Sequence, residues 1–305
     1  MFTLVLLCAA LAGFAGGAAG QTYPSKPIRF IVPFAPGGGT DIVARIIGQK
    51  LNDTWGPPVV VDNRPGAGSA VGTGLAAEAP ADGYTIVMSS IALAINATLR
   101  KKLSYDTLRD FAPVTLVASQ PNILVVNPAL PVKSVNYASG GNGTGPHLAT
   151  ELLKLLAGID ITHVPYKGNG PALTDLLGGQ VQMMMSVMAA AQPFVKAGKL
   201  RALAVTGAAR SPVAPGIPTL AEAGVTGYEF ITWYGVQVPA KTPPPIINRL
   251  NSEITRILQL PDVRERFAAG GLDPVASTPE EFGALIRSEI VKWAKVVKAT
   301  GATAQ

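Results

Sequence analysis

VPFAPGGGTDIVARIIGQKL, residues 32–51, sets an apolar run against three consecutive glycines and then an apolar stripe at helical spacing. Glycine loses more backbone freedom on folding than any other residue. Three in a row therefore point to something that needs bare backbone, either a tight turn or a ligand that amides must approach closely. Upstream, Ile28–Phe34 (IRFIVPF) is almost continuously apolar, which suits a strand buried on both faces. Downstream, Ile42, Ile46, Ile47 and Leu51 share one helical face, and the spacing predicts a helix that begins near Thr40. Strand, glycine loop and helix in this order are the opening unit of a doubly wound α/β fold.

The same unit returns along the chain. Val59–Val61 reads as a second strand, Asn63–Gly68 (NRPGAG) as a second glycine loop, and the small residues to about Glu78 as a helix. Asp82-Gly83 marks a turn before a strand at Tyr84–Met88. Past Pro128 come a short strand Asn136–Ser139 and a third glycine loop, Gly140–Gly145 (GGNGTG). The helix that follows, Pro146–Ala157, carries Leu148, Leu152 and Leu155 on one face and stops at Gly158. Strand Ile161–Tyr166, helix Pro171–Leu177 and strands Val181–Ser186 and Leu200–Thr206 complete this half. The C-terminal part is helical. Pro245–Leu260 keeps Ile247, Leu250, Ile254 and Ile257 in register, and Thr278-Pro279-Glu280-Glu281 is a capping box that opens a last helix to about Lys298. The expected class is α/β with a mostly parallel sheet. One connection departs from the pattern: about nine residues join Ile123–Val126 to Asn136–Ser139, fewer than the roughly 10–12 of a helical crossover. An extended link without a helix is expected there.

Composition narrows the chemistry. A chain of 305 residues with 48% hydrophobic content is long for one core, so two lobes are expected. The net charge of +6 has no basic run with interleaved aromatics, which argues against nucleic acid as partner. Its densest cluster, Arg100-Lys101-Lys102, is a solvated basic surface or a device that steers anions. Met1–Gly20 contains no charge and ends in Ala18-Ala19-Gly20, which predicts a secretory signal over residues 1–20, with an N-terminal membrane anchor as the alternative. The single cysteine, Cys8, falls inside it, so the mature chain is expected to have no disulfide. His147 and His163 are the only histidines, and no acidic cluster accompanies them, so no metal site is expected. No G-x-S-x-G and no P-loop signature is present, and none of the glycine loops reads G-x-G-x-x-G, so neither an enzyme nor a nucleotide or other cofactor is indicated.

All three glycine loops follow a strand and precede a helix. Such loops aim unpaired N–H groups and the positive helix end at the crevice beyond the strand ends. Gly37–Thr40 would form a seat for a carboxylate without any charged side chain. A Gly39→Val change would then weaken binding with little loss of fold. Asp41 is either a first-turn acid that stabilises its own helix or a cleft residue that meets a ligand ammonium or a water. Met183-Met184-Met185 reads as core strand, with Ser186 at its ligand end. Trp233-Tyr234-Gly235 reads as a hinge strand, with ligand stacking as the other reading.

The stretches YPSKPIRFIVPFAPGGGTD, DNRPGAG, DGYT, YDTLRDFAPVTLV, NYASGGNGTGPHL, HVPYKG, GKLRALAVTG and PTLAEAG follow one another from Tyr23 almost to the C-terminus. In that order they resemble the substrate-binding proteins of tripartite tricarboxylate transporters, the Bug family of extracytoplasmic solute receptors. The resemblance implies a type II periplasmic-binding fold, with two doubly wound α/β lobes joined by two crossing segments. Lobe I would be residues 21–122 with 233–305, and lobe II residues 123–232. It implies a monomeric periplasmic receptor that closes over a small carboxylate and delivers it to two membrane permease subunits. A ligand-sensing receptor for a membrane signalling protein would use the same cleft. The ligand loops implied are Gly37, Gly38, Gly39, Thr40 and Asp41; Ser89 and Ser90; Gly141, Asn142, Gly143, Thr144 and His147; and Ser186. The chain departs from the family at Lys133-Ser134-Val135-Asn136, where a helix is missing between Ser134 and Asn136.

Overall fold

The computed structural model describes residues 23–129 and 135–303. The expected signal at 1–20 lies outside the described residues, as do positions 130–134 of the short link.

Strand β1 (Ile28–Val32) leads through the first glycine loop into α1 (Gly39–Trp55) and β2 (Val59–Asn63). A 3-10 turn at Ala67–Ser69 enters α2 (Ala70–Ala77), which is followed by β3 (Thr85–Ser90) and α3 (Ile91–Leu99). The long β4 (Phe111–Val126) comes next. The second half repeats the pattern: β5 (Asn136–Ser139), α4 (Gly145–Ala157), β6 (Thr162–Pro165), α5 (Asn169–Leu177), β7 (Met183–Val187), α6 (Met188–Lys196) and β8 (Arg201–Val205). The chain returns through β9 (Ile231–Pro239) and ends with α7 (Pro244–Leu258), α8 (Pro261–Ala269), the short β10 (Asp273–Pro274) and α9 (Pro279–Thr300).

Strands lie in the order β2-β1-β3-β9-β4-β7-β5-β6, with β8 and β10 also bonded to β4. β1 pairs in parallel with β2 and β3, and β5 with β6 and β7. Between these triplets the pairing is antiparallel. The sheet is therefore mixed, not mostly parallel. The reason is that one strand serves both halves: Phe111–Pro121 of β4 pairs with β9, and Asn122–Val126 pairs with β7 and β8. The sequence suggests only Ile123–Val126 as strand here because Pro113 and Pro121 speak against a ladder. Pro113 is accommodated at a register shift against β9.

Each half has its own core. Phe30, Ile47, Leu250 and Phe267 lie in one, and Val125, Leu173, Leu176 and Met184 in the other. A third cluster bridges them, with Ile95 of α3, Leu148 of α4 and the fully buried Trp293 of α9. The capping box that opens α9 is present, with Glu281 N donating to Thr278 Oγ1 at 3.1 Å and Thr278 N to Glu281 Oε2 at 2.9 Å. Leu155, expected on the buried face of α4, is exposed, and Leu153 is buried instead.

Candidate functional site

The ends of five helices meet at one place. The N-caps of α1, α3, α4, α5 and α6 are Gly38, Ser90, Thr144, Gly168 and Val187, and none of them caps its helix with a side-chain hydrogen bond. The first turn of a helix has N–H groups without intrahelical acceptors and carries partial positive charge. Residues from all five starts line one small cavity of about 40 Å³: Gly38 and Gly39, Ser90, Thr144, Asn169 and Val187 among them. At about 10–15 Å³ per water, that volume holds roughly three waters. Among the described residues no charged side chain lines it. A group seated there meets backbone amides, hydroxyls and helix ends of positive sign, which is an environment for an oxyanion.

Thr232 and Tyr234 of β9 form the floor. Gln120 Nε2 donates to Tyr234 Oη at 2.6 Å, and burial pushes the phenol well above its ordinary pKa, so it stays protonated. A Cβ on Gly39 would run into that phenol oxygen and lie 3.2 Å from Gln120 Nε2. The glycine thus admits Tyr234 as well as any ligand. The expectation that Gly39→Val spares the fold is corrected by this contact.

Of the residues expected from sequence, Gly38, Gly39, Thr40, Ser90 and Thr144 line the cavity. Gly141 and Asn142 line an adjoining compartment of about 170 Å³, which shares Phe34 and Gly140 with the first. The others stand behind these walls. Gly37, at φ +84°, donates its amide to Asp41 Oδ2 at 3.0 Å. The same Asp41 oxygen accepts from Arg45 Nε at 2.9 Å, and Oδ1 accepts from Asn63 Nδ2 at 2.9 Å. Burial acts to raise the Asp41 pKa, but the bonds from Arg45, Gly37 and Asn63 outweigh it and hold the carboxyl below the usual range. Asp41 is therefore an ionised clamp between the first glycine loop and β2, facing protein donors. Ser89 donates to Gln237 Oε1 at 2.5 Å, and Ser186 to the Val187 carbonyl at 3.2 Å.

The third glycine loop is braced from within. Thr144 Oγ1 donates to Gly141 O at 2.7 Å, and Gly143 N donates to His147 Nδ1 at 3.3 Å. His147 stacks on His163 at 4.3 Å, and His163 on Tyr137 at 4.7 Å. The His163 Nε2 to Ser139 Oγ distance is 2.6 Å. Burial, helped by Lys154, lowers the His147 pKa to about 4; burial and then His147 lower that of His163 to about 3. Both rings are neutral at pH 7.

Sequence reasoning missed Phe34, Asn169, Val187 and Thr232; Tyr234 enters it as hinge strand with ligand stacking as the other reading, and Arg100 only as part of a basic cluster that is solvated or steers anions. Asn169 carried a signal, since it follows Lys167-Gly168 before a helical stripe. Val187 and Phe34 carried none, being apolar residues in apolar runs.

The family described as tripartite tricarboxylate transporter family receptor matches residues 43–302. The chain belongs to this receptor family. Protein BugT of Bordetella pertussis is 42% identical over 309 residues, covering 96% of this chain and 95% of its own. Among solved structures, R. palustris Rpa4515 with adipate is 35% identical with a TM-score of 0.89, covering 92% of this receptor and 99% of that chain. The periplasmic binding protein BugD is 32% identical with a TM-score of 0.88, covering 93% and 100%. The fold is accordingly that of the periplasmic-binding proteins, two α/β lobes joined by crossing segments. The receptor family is made of solute-binding proteins, not enzymes.

Proposed function

We propose that this receptor binds a small carboxylate in the 40 Å³ cavity in the periplasm and delivers it, as a monomer, to two membrane permease subunits. The observation that carries the reading is the convergence of five uncapped helix starts on one cavity without a charged side chain. A carboxylate is matched by such amides at low desolvation cost, whereas a cation would meet five positive helix ends. The adipate in Rpa4515 supports the ligand class. Gly38, Gly39, Thr40, Ser90 and Thr144 would touch the carboxylate. Gly37, Asp41, Ser89, Gly143, His147 and Ser186 would position these residues, and Gly141 and Asn142 would border the ligand's far end. The lobes would divide as 21–122 with 233–305, and 123–232, since β4 changes partners between Pro121 and Asn122 and β9 starts at Ile231.

A thermal-shift panel tests the reading. Ligand that binds only the folded state stabilises it by RT ln(1 + [L]/Kd), about 2.7 kcal/mol at a hundredfold excess over Kd. Carboxylates are expected to raise the melting temperature and the matching uncharged amides to leave it in place. A broad panel of carboxylates without any shift would overturn the assignment.

A further inference from the structure

The compartment of about 170 Å³ beside the seat has a different character. Two cationic side chains, Arg100 and Lys167, contribute to its wall, and among the described residues no Asp or Glu does. Arg100 is the first residue of the basic cluster Arg100-Lys101-Lys102. Its two neighbours are exposed to solvent, while Arg100 is half-buried at the end of α3. Its guanidinium has neutral partners only: Nε donates to Asn96 Oδ1 at 3.0 Å and Nη2 to the Asn142 carbonyl at 3.2 Å. Among the described residues no carboxylate forms an ion pair with it; the other arginines are either paired, as Arg29, Arg45, Arg64, Arg109, Arg210 and Arg256 are, or exposed, as Arg201, Arg249, Arg264, Arg266 and Arg287 are. A guanidinium has five N–H donors. Two are engaged, which leaves three without an acceptor among the described residues. Desolvation lowers the Arg100 pKa, the mark of a charge drawn out of water without a counter-ion.

The loop that packs beside Arg100 is held in an uncommon conformation, with a Cβ on Gly68 reaching 3.5 Å from Arg100 Nη2. Gly66, Ala67, Gly68 and Ser69 all have positive φ, 46° at Ala67 and 87° at Ser69. Non-glycine residues in this region cost about 1–3 kcal/mol each and persist where their surroundings fix them. Asn96 does so, with Nδ2 donating to Gly68 O at 2.7 Å and to Ser69 Oγ at 3.2 Å. Asn96 thus holds both the strained loop and, through Oδ1, the Arg100 fork. The compartment adjoins the carboxylate seat through Phe34 and Gly140.

We propose that this compartment is a second anion subsite with Arg100 as its counter-ion, and that Arg100 makes the receptor select ligands carrying a second carboxylate. The inference rests on the carboxylate seat proposed above. One end of the ligand occupies the helix ends, and the other reaches the fork. A planar carboxylate accepts two parallel N–H bonds from a guanidinium, which a neutral chain end does not.

Calorimetry with glutarate and adipate, set against pentanoate and hexanoate of equal length, tests it. The parent receptor is expected to bind each diacid at least about tenfold tighter than its monoacid. Arg100→Gln keeps an amide donor for Asn142 and removes the charge. It should weaken the diacids by about tenfold or more and leave the monoacids within about threefold, and Arg100→Lys should recover part of the loss. Lys101→Gln should change neither series. An equal loss for diacids and monoacids would reduce Arg100 to a contact between the lobes and overturn the proposal; so would an Arg100→Gln variant that binds the diacids as the parent does. Should Arg100→Gln fail to fold, the exposed Lys167→Glu decides: a selective loss of diacids supports the subsite, and unchanged diacid affinity refutes it. A parent that binds neither series refutes the carboxylate seat itself, an outcome distinct from all of these.

Discussion

Replacement of Gly39 by alanine tests the coupling between the glycine loop and the floor of the cavity. The added methyl runs into Tyr234 Oη and crowds Gln120 Nε2 at 3.2 Å. Tyr234 and Gln120 are both buried, and Gln120 Oε1 already has no protein partner. The phenol must move, and the 2.6 Å bond from Gln120 is lost with it. An orphaned buried polar group costs about 1–3 kcal/mol and overpacking a further ~1–3, so about 3 kcal/mol is expected for the ligand-free protein. At roughly 2–4 °C per kcal/mol for a chain of this size class, the melting temperature falls by about 6–12 °C. Tyr234→Phe removes the atom that is struck. In the double variant the two losses should fall short of their sum by about 1 kcal/mol or more. Thermal melts of the ligand-free parent, both single variants and the double variant give the cycle. A Gly39→Ala protein that melts like the parent and loses only ligand affinity would refute the reasoning and return the glycine to a role in ligand contact alone.

Two further outcomes follow from the braces behind the site. The His147 pKa is near 4 in the fold against an ordinary 6.5, so the unfolded chain takes up a proton as the pH falls below about 6.5 while the folded chain does not. Stability is therefore full above that pH, declines between about 6.5 and 4 by up to about 3 kcal/mol for this group, and levels off below. Melts from pH 7.5 to 4 read the decline, to which His163, held at about 3, adds its own share; His147→Asn should lessen the slope and leave the His163 part, and an unchanged slope would contradict the assignment. Asp41→Asn should destabilise the ligand-free protein by about 1–3 kcal/mol through Gly37 and Arg45. It should alter amino-acid and plain carboxylate binding by the same factor, and calorimetry that shows a selective loss of amino acids would instead turn Asp41 toward the cleft.

Much of this architecture is legible in the sequence because its signals are local. The apolar run before Gly37, the stripe Ile42, Ile46, Ile47 and Leu51, the Gly158 stop and the Thr278–Glu281 box each specify an element from its own residues, and each element formed. What escaped was set by tertiary context. Helix α3, IALAINATL, is buried almost all round and so has no polar face to reveal a period. Helix α6 contains Pro193, and β4 contains Pro113 and Pro121, residues that speak against the elements in which they lie. The site divided along the same line. The loops were evident as glycine clusters, but which of their residues face inward depends on where Asp41, Ser89 and Ser186 find partners. Those partners, Asn63, Gln237 and the Val187 carbonyl, are fixed only by the fold.

The glycines themselves do different work from one loop to the next. At Gly38 the nearest atom to an added Cβ would be the Ala35 carbonyl at 3.8 Å, so this position has room and faces the cavity. At Gly68 a Cβ would overlap the Asn142 carbonyl, and at Gly168 it would lie 2.9 Å from Ala35 Cβ. Both of these approaches join loops of different halves of the molecule. A side chain at either position would hold the halves apart before the five helix ends could converge. Since one amide-lined cavity needs donors from both halves at hydrogen-bond range of one ligand, glycine at Gly68 and Gly168 is a condition of closure, and glycine at Gly38 a condition of contact. The first glycine run, Gly37-Gly38-Gly39, combines three such roles in sequence: a left-handed turn held by Asp41, an open face to the ligand, and a close approach to Tyr234.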